Sequence, residues 1–288
     1  MALSHSWPAV AAAQAHAPER RVPFVINGRP VGSVARVHLQ SLRDAPPPFA
    51  VDAEGVRCDA DAATLSAVLA ARNAALRAAG LILAWRDESF PLLDPATQQP
   101  LATIERAACR FWGTLTLGAH ASGYRADERG RPTHLWLAQR AADKATDPGL
   151  LDNLIGGGVP SGQTPLQALV REGWEEAGLH AQQLRCALPA SRLYLQREVR
   201  EGLQLELLHA FDLPLPAGFE PRNQDGEVAG FRCVPVAEAV ELAAGDGMTV
   251  DAALVTLDFA LRHRLLPPTQ ARVLERQLRA LRRGIDPG

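Results

Sequence analysis

The chain has 288 residues, of which 47% are hydrophobic and 22% charged, and its formal net charge is −2. This is the balance of a soluble globular protein with room for one large or two ordinary domains, and it gives no general case for binding nucleic acid or an anionic membrane. The four cysteines (Cys58, Cys109, Cys186, Cys233) are dispersed without a C-x-x-C pair, and the eight histidines contain no H-E-x-x-H. A disulfide framework and a zinc site are therefore not indicated, and the expected location is cytoplasmic, with reduced thiols.

Residues 1–21 read as a flexible or helical lead. Its alanine-rich run, 9–15, follows no basic residue and is too short to span a bilayer, so a frayed or loosely docked helix is expected. Residues 22–110 read as an N-terminal α/β domain. Strands at 22–26 and 31–35 flank the Asn27–Gly28 turn, a loop holds Pro46 to Pro48, a helix over 60–79 stops at Gly80, and a buried strand covers 81–85. A second α/β domain is expected over 111–266. Its strands are placed at 113–121, 135–138, 150–155, 204–213 and 230–236, with a helix over 250–264. A last helix, within 267–288, covers 269–282. There Arg272, Arg276, Arg279, Arg282 and Arg283 are expected to form a solvated face opposite Leu274, Leu278 and Leu281. A mixed sheet with helices on both faces suits a three-layer sandwich.

The most informative stretch runs from Gly156 to Leu179, GGGVPSGQTPLQALVREGWEEAGL. Thr164 reads as an N-cap followed by proline at the first helical position, and Gly178 as the stop. At about 100° per residue, Glu172, Glu175 and Glu176 share roughly 100° of arc. Like charges at this spacing cost an isolated helix about 0.2–0.5 kcal/mol per pair, whereas a hard cation such as Mg²⁺ takes clustered oxygen ligands. A P-loop is excluded because Gln163 and Thr164, not lysine, follow Gly162. A dinucleotide fingerprint fails because Ser161 stands where its third glycine belongs.

This segment resembles the Nudix box, with Arg171, Glu172, Glu175, Glu176, Gly178 and Leu179 in register from Gly157. Gln163 departs from the pattern's first glutamate, the acid that usually helps hold the box arginine. Gly173 replaces an aliphatic residue, lowering helix propensity but permitting close backbone approach. Residues 111–124, 135–158, 223–228 and 257–263 resemble one Nudix branch, which is related to thiamin pyrophosphokinase fusions and carries its own N-terminal domain. The resemblance implies a Nudix α/β/α sandwich preceded by a smaller α/β domain. It also implies a diphosphatase using Mg²⁺, or Mn²⁺ in its place, on thiamin diphosphate or its oxidised analogues.

In that reading Glu172 and Glu176 lead the metal ligands, with Glu175 and the Gly157 carbonyl beside them, and Arg171 pairs with a neighbouring carboxylate. Glu227, matched to the family's downstream acid, or a box glutamate takes the proton from the attacking water. Lys144 and Arg140 are assigned to the substrate. Read alone, Lys144 is equally a surface or ion-pairing residue, and Glu227 an exposed glutamate at a strand start. The expected partner is a small-molecule diphosphate. Two other functions stay open: a nucleotide diphosphatase acting on oxidised deoxyguanosine di- or triphosphates, and a non-catalytic diphosphate-binding module.

Overall fold

The computed structural model describes residues 7–283; the expected lead before Trp7, the end of the expected C-terminal helix after Arg283, and the Arg283 side chain lie outside the described residues. Helix α1 (Pro8–Ala12) is followed by strands β1 (Arg21–Ile26) and β2 (Arg29–Ala35), helix α2 (Leu39–Leu42), strands β3 (Phe49–Val51) and β4 (Val56–Cys58), and helix α3 (Ala62–Ala78). Strands β1 to β4 form a sheet in the order β2-β1-β4-β3. The Asp61 side chain caps α3 by accepting the Thr64 N–H, and Leu65, Leu69 and Leu76 join the core of this first domain. Trp112 anchors that core: it is fully buried, its ring lies 4.5 Å from that of Phe24, and its Nε1–H donates to Asn73 Oδ1 at 2.7 Å.

The strand expected over 81–85 does not form. That segment is a loop, with Ala84 and Asp87 nearby in the left-handed region, which breaks an extended run. The strands lie just beyond it, as the hairpin β5 (Ser89–Leu93) and β6 (Pro100–Glu105), followed by helix α4 (Arg106–Trp112).

Strands β7 (Leu115–Ala126) and β8 (Pro132–Arg140) open the second domain. The expected strand over 150–155 is two short ones, β9 (Leu151–Asn153) on β8 and β10 (Ile155–Gly158) on β7, because the chain crosses from one neighbour to the other at Leu154. After helix α5 (Pro165–Ala177) come β11 (Leu188–Val199), β12 (Gly202–Pro214), β13 (Val228–Pro235), α6 (Val236–Ala243), α7 (Val250–Arg262), α8 (Pro268–Leu278) and β14 (Arg282–Arg283). The sheet order is β13-β8-β7-β12-β11-β14. The β7–β12 pair is parallel and the others antiparallel, so the sheet is mixed. Alternate residues of a strand face opposite ways. Thus Leu135 and Leu137 of β8 pack with α7, and Trp136 between them packs with Ala168 and Leu169 of α5. The result is an α/β/α sandwich preceded by a smaller α/β domain.

Two expectations at the chain ends are corrected. From Trp7 onward the lead is docked: Trp7, Val10 and Ala13 are buried in the α7 core, and the Gln196 and Glu198 N–H groups of β11 donate to the Ala13 and Ala15 carbonyls. Arg282 leaves the solvated face shared by Arg272, Arg276 and Arg279, because the chain after Leu278 turns to pair with β11. Its guanidinium donates to Asp258 Oδ1 at 2.7 and 2.9 Å.

Asp258 has 0% exposure and also accepts from Ser191 Oγ and Arg262 Nε, each at 2.6 Å. Arg262 in turn forks onto both oxygens of Asp212, which stands 2.7 Å from His263 Nε2. Removing one partner from such a buried network leaves charge uncompensated, at a cost of about 3–5 kcal/mol. Asp258→Ala is therefore expected to lower unfolding free energy by about that amount in urea titrations; a loss below about 1 kcal/mol would show the network to be dispensable.

Candidate active site

The glycine strand β10 is fixed by its register on β7, with Gly156 opposite His120, Gly157 opposite Ala119 and Gly158 opposite Gly118. Helix α5 begins at a reciprocal cap: Thr164 Oγ1 accepts the Gln167 N–H, and Gln167 Oε1 accepts the Thr164 N–H. It ends at Gly178, whose φ of 67° is left-handed. Gly173 permits the close approach expected of it. A Cβ there would lie 2.7 Å from Leu184 Cδ1 and 3.1 Å from Ile155 Cδ1. At Gly157 a Cβ would occupy the space taken by the Glu172 carboxylate.

Glu172 and Glu176 are each 8% exposed. Arg171 divides its guanidinium, Nη2 donating to Glu172 Oε1 and Nη1 to Glu175 Oε2, both at 2.7 Å. The Gly156 N–H donates to Glu176 Oε2 at 2.9 Å. Burial pushes the Glu172 carboxyl up to about 7, against the pull of Arg171 and with the help of Glu175. Glu176 is raised well above the ordinary range by burial first and by the charge of Glu172 second. Gln163, at the position of the pattern's first glutamate, leaves its buried Oε1 without a hydrogen-bond partner among the described residues. Arg171 is held from within its own helix.

Lys144 and Glu227 meet: Lys144 Nζ donates to Glu227 Oε2, and Arg86 of the first domain approaches Glu227 Oε1 at 3.6 Å. The turn before Glu227 is built by the N-Q-D-G residues, with Asn223 Oδ1 accepting the Gly226 N–H and Asp225 Oδ1 the Glu227 N–H. Burial would raise the Glu227 carboxyl, but Lys144, by hydrogen bond and charge, and the charge of Arg86 hold it below the ordinary value. Lys144 also acts on Glu176, so its charge joins the downstream acid to the box.

Arg140 has a different task. It donates to the Asp147 and Thr146 carbonyls and to Asp152 Oδ2, clasping its own loop, and these bonds occupy its guanidinium. Sequence reasoning passed over Asp152, His120, Arg86 and Arg106. Asp152 is buried, and burial raises its carboxyl despite His120 and Arg140. It lies within the segment 135–158 that resembles the Nudix branch. Arg86 and Arg106 carry no local signal.

Among the described residues, no group of three or more histidine, cysteine or acidic side chains stands arranged to hold a metal. The carboxylates are turned onto Arg171 and the Gly156 N–H instead. Their chemistry nonetheless fits a hard divalent cation, since they are oxygen donors, clustered, nearly buried and short of positive charge. This predicts a linkage. Between the ordinary glutamate value of 4.5 and about 7, the metal-free folded state holds more protons at Glu172 than the unfolded chain does, so its stability falls as pH rises through that window. A cation competes with those protons. The rise in melting temperature on adding MgCl₂ is expected to grow from about pH 5 to about pH 8 and to vanish in Glu172→Gln/Glu176→Gln. An equal rise at both ends of that range would contradict it.

A NUDIX domain model matches residues 116–254, and a domain of unknown function, DUF4743, matches residues 5–116. Nudix hydrolase 24, chloroplastic, of Arabidopsis thaliana is 32% identical over 274 residues, spanning 91% of this chain and 73% of that protein. Nudix hydrolase 20, chloroplastic, of the same plant is 30% identical over 267 residues, spanning 88% and 71%. A crystal structure of DR0079 from Deinococcus radiodurans is 20% identical with a TM-score of 0.46, covering 59% of this chain and 97% of that one. The expectation of a cytoplasmic location is corrected here, since both plant relatives are chloroplastic. Dispersed thiols report the absence of a disulfide framework and carry no address. With a relative this similar along 91% of the chain and 73% of its own length, the chain belongs to the Nudix hydrolase family, its NUDIX domain preceded by a DUF4743 domain.

Proposed function

We propose that the chain cleaves the diphosphate linkage of a small organic diphosphate, releasing a monophosphate ester and inorganic phosphate, with Mg²⁺ or Mn²⁺ as cofactor. The observation that carries this reading is the pair Glu172 and Glu176, one helical turn apart, nearly buried and raised by that burial, over a strand whose Gly157 lets the Glu172 carboxylate approach the backbone. Glu172, Glu175, Glu176 and the Gly157 carbonyl would hold the cation, which when bound polarises the phosphoryl group and lowers the pKa of water. Arg171 keeps Glu172 and Glu175 from repelling each other into solvent. Glu227, held ionised by Lys144 and Arg86, takes the proton of the attacking water, a task a box carboxylate raised by burial performs less readily near neutral pH.

For the organic part, thiamin diphosphate and its oxidised analogues are the proposed substrates. The support is the resemblance of the segments flanking the box, 135–158 and 223–228, and the second of these builds the turn that presents Glu227. A thiazolium ring beside the diphosphate offers a charge to recognise, and oxidation alters that charge or its hydrogen bonding.

Glu176→Gln is expected to lower kcat by about 10²–10³ without lowering the melting temperature, because glutamine keeps an acceptor for the Gly156 N–H off the apolar face of α5. A folded variant with near-normal turnover would remove the glutamates from the chemistry, and an unaltered protein that binds diphosphates but never turns them over would make it a binding module. Side-by-side kinetics with Mg²⁺ should give a higher kcat/KM for oxidised thiamin diphosphates than for oxidised guanine nucleotides. A nucleotide preference of about tenfold, equivalent to about 1.4 kcal/mol at the transition state, would assign the enzyme to nucleotides.

A further inference from the structure

The first domain reaches the catalytic face through one backbone contact and a group of arginines. The Ser161 N–H of the box loop donates to the Ser89 carbonyl of β5 at 2.9 Å, and Phe90 fills the space beside Gly158. Behind this contact, α4 and the loop before β5 bring Arg86, Arg106 and Arg110 around a small, open cavity that Thr146 and Glu201 complete from the second domain. Arg106 and Arg110 also line a small neighbouring cavity that runs to Gly158 and Glu206.

Arg106 faces the site from several directions. It stacks over Phe90 at 5.3 Å and donates through Nη1 to Glu88 Oε2 at 2.8 Å. Among the described residues, its other guanidinium nitrogens take no hydrogen bond. Its charge is felt at both Glu172 and Glu227. Arg86 is held more loosely. Among the described residues its guanidinium makes only the 3.6 Å pair with Glu227, longer than a hydrogen bond. Guanidinium donors left open beside a carboxylate cluster have the fork geometry that recognises phosphate, and they supply positive charge that the box itself lacks.

We infer that Arg86 and Arg106 bind the terminal phosphate of the substrate in the cavity between the two domains, so that the active site is composite and the DUF4743 domain is part of it. This rests on the proposed hydrolysis of a diphosphate and adds the residues that orient it.

The test uses the full chain with Mg²⁺ and imidodiphosphate, a non-hydrolysable probe, measured by calorimetry. Arg86→Ala and Arg106→Lys should each weaken binding by about tenfold or more, the ratio that about 1.4 kcal/mol of lost affinity produces. Arg106→Lys keeps the charge and removes the fork. Both should raise KM for a diphosphate substrate more than they lower kcat, which a merely structural role would not do. Arg129→Ala, in the exposed turn between β7 and β8, should leave binding unchanged. If Arg106→Lys does not fold, Arg86→Ala decides, since its guanidinium has no hydrogen bond to lose. Folded variants that bind imidodiphosphate like the unaltered protein, or an unaltered protein that does not bind it, overturn the inference. Full turnover in Glu176→Gln together with weakened binding in the arginine variants would instead overturn the catalytic reading and leave this one standing.

Discussion

Three glycines in a row on one strand set the geometry of everything around them. Each of Gly156, Gly157 and Gly158 is opposed by a different group at a distance that a Cβ would violate: His120 and Asp152 at the first, the Glu172 carboxylate at the second, Phe90 at the third. Without side chains, β10 becomes a surface on which the buried Asp152 of β9, the carboxylates of α5 and the hairpin of the first domain converge. Antiparallel pairing to β7 holds that surface still, and Gly173 lets α5 settle onto it. A single alanine anywhere in this strand would push one of these three away from the others.

Convergence has an electrostatic consequence. Glu172, Glu176 and Asp152 are brought out of water faster than positive charge is brought in, and burial raises all three carboxyls. Arg171 offsets part of this from within α5, and Lys144 and Arg86 keep Glu227 ionised at the rim. The site therefore divides into a proton-holding interior and an ionised edge. Such a division suits a centre whose interior charge is completed by a cation and whose edge handles a proton.

Much of this was legible in the sequence because it is local. The cap, the first-turn proline, the stop glycine and the arc of glutamates are all set within α5, and the Asn27–Gly28 hairpin within β1 and β2. What was not legible depends on pairings between distant segments. Residues 81–85 have the apolar look of a strand, but the chain bends through Ala84 and Asp87, and the real hairpin forms from β5 and β6, whose prolines disguise it. Arg86 and Arg106 reach Glu227 and Glu172 only because β5 meets the box loop in space. No spacing rule connects residues so far apart along the chain.

Resemblance alone also does not say which matched residues act and which support. The run from Leu257 to His263 matched the branch as well as the segment around Glu227 did, yet Asp258, Arg262 and His263 are tied into Asp212, Ser191 and Arg282, closing α7 onto β11, β12 and β14. Arg140 matched too, and it clasps its own loop. Both cases follow one rule. A charged residue whose donors or acceptors are already taken by buried partners has no capacity left for substrate, since a ligand would have to break bonds that desolvation makes costly to lose. Glu172 and Glu176 differ in this respect. They are buried with fewer compensating partners than their charge requires, and burial raises both carboxyls.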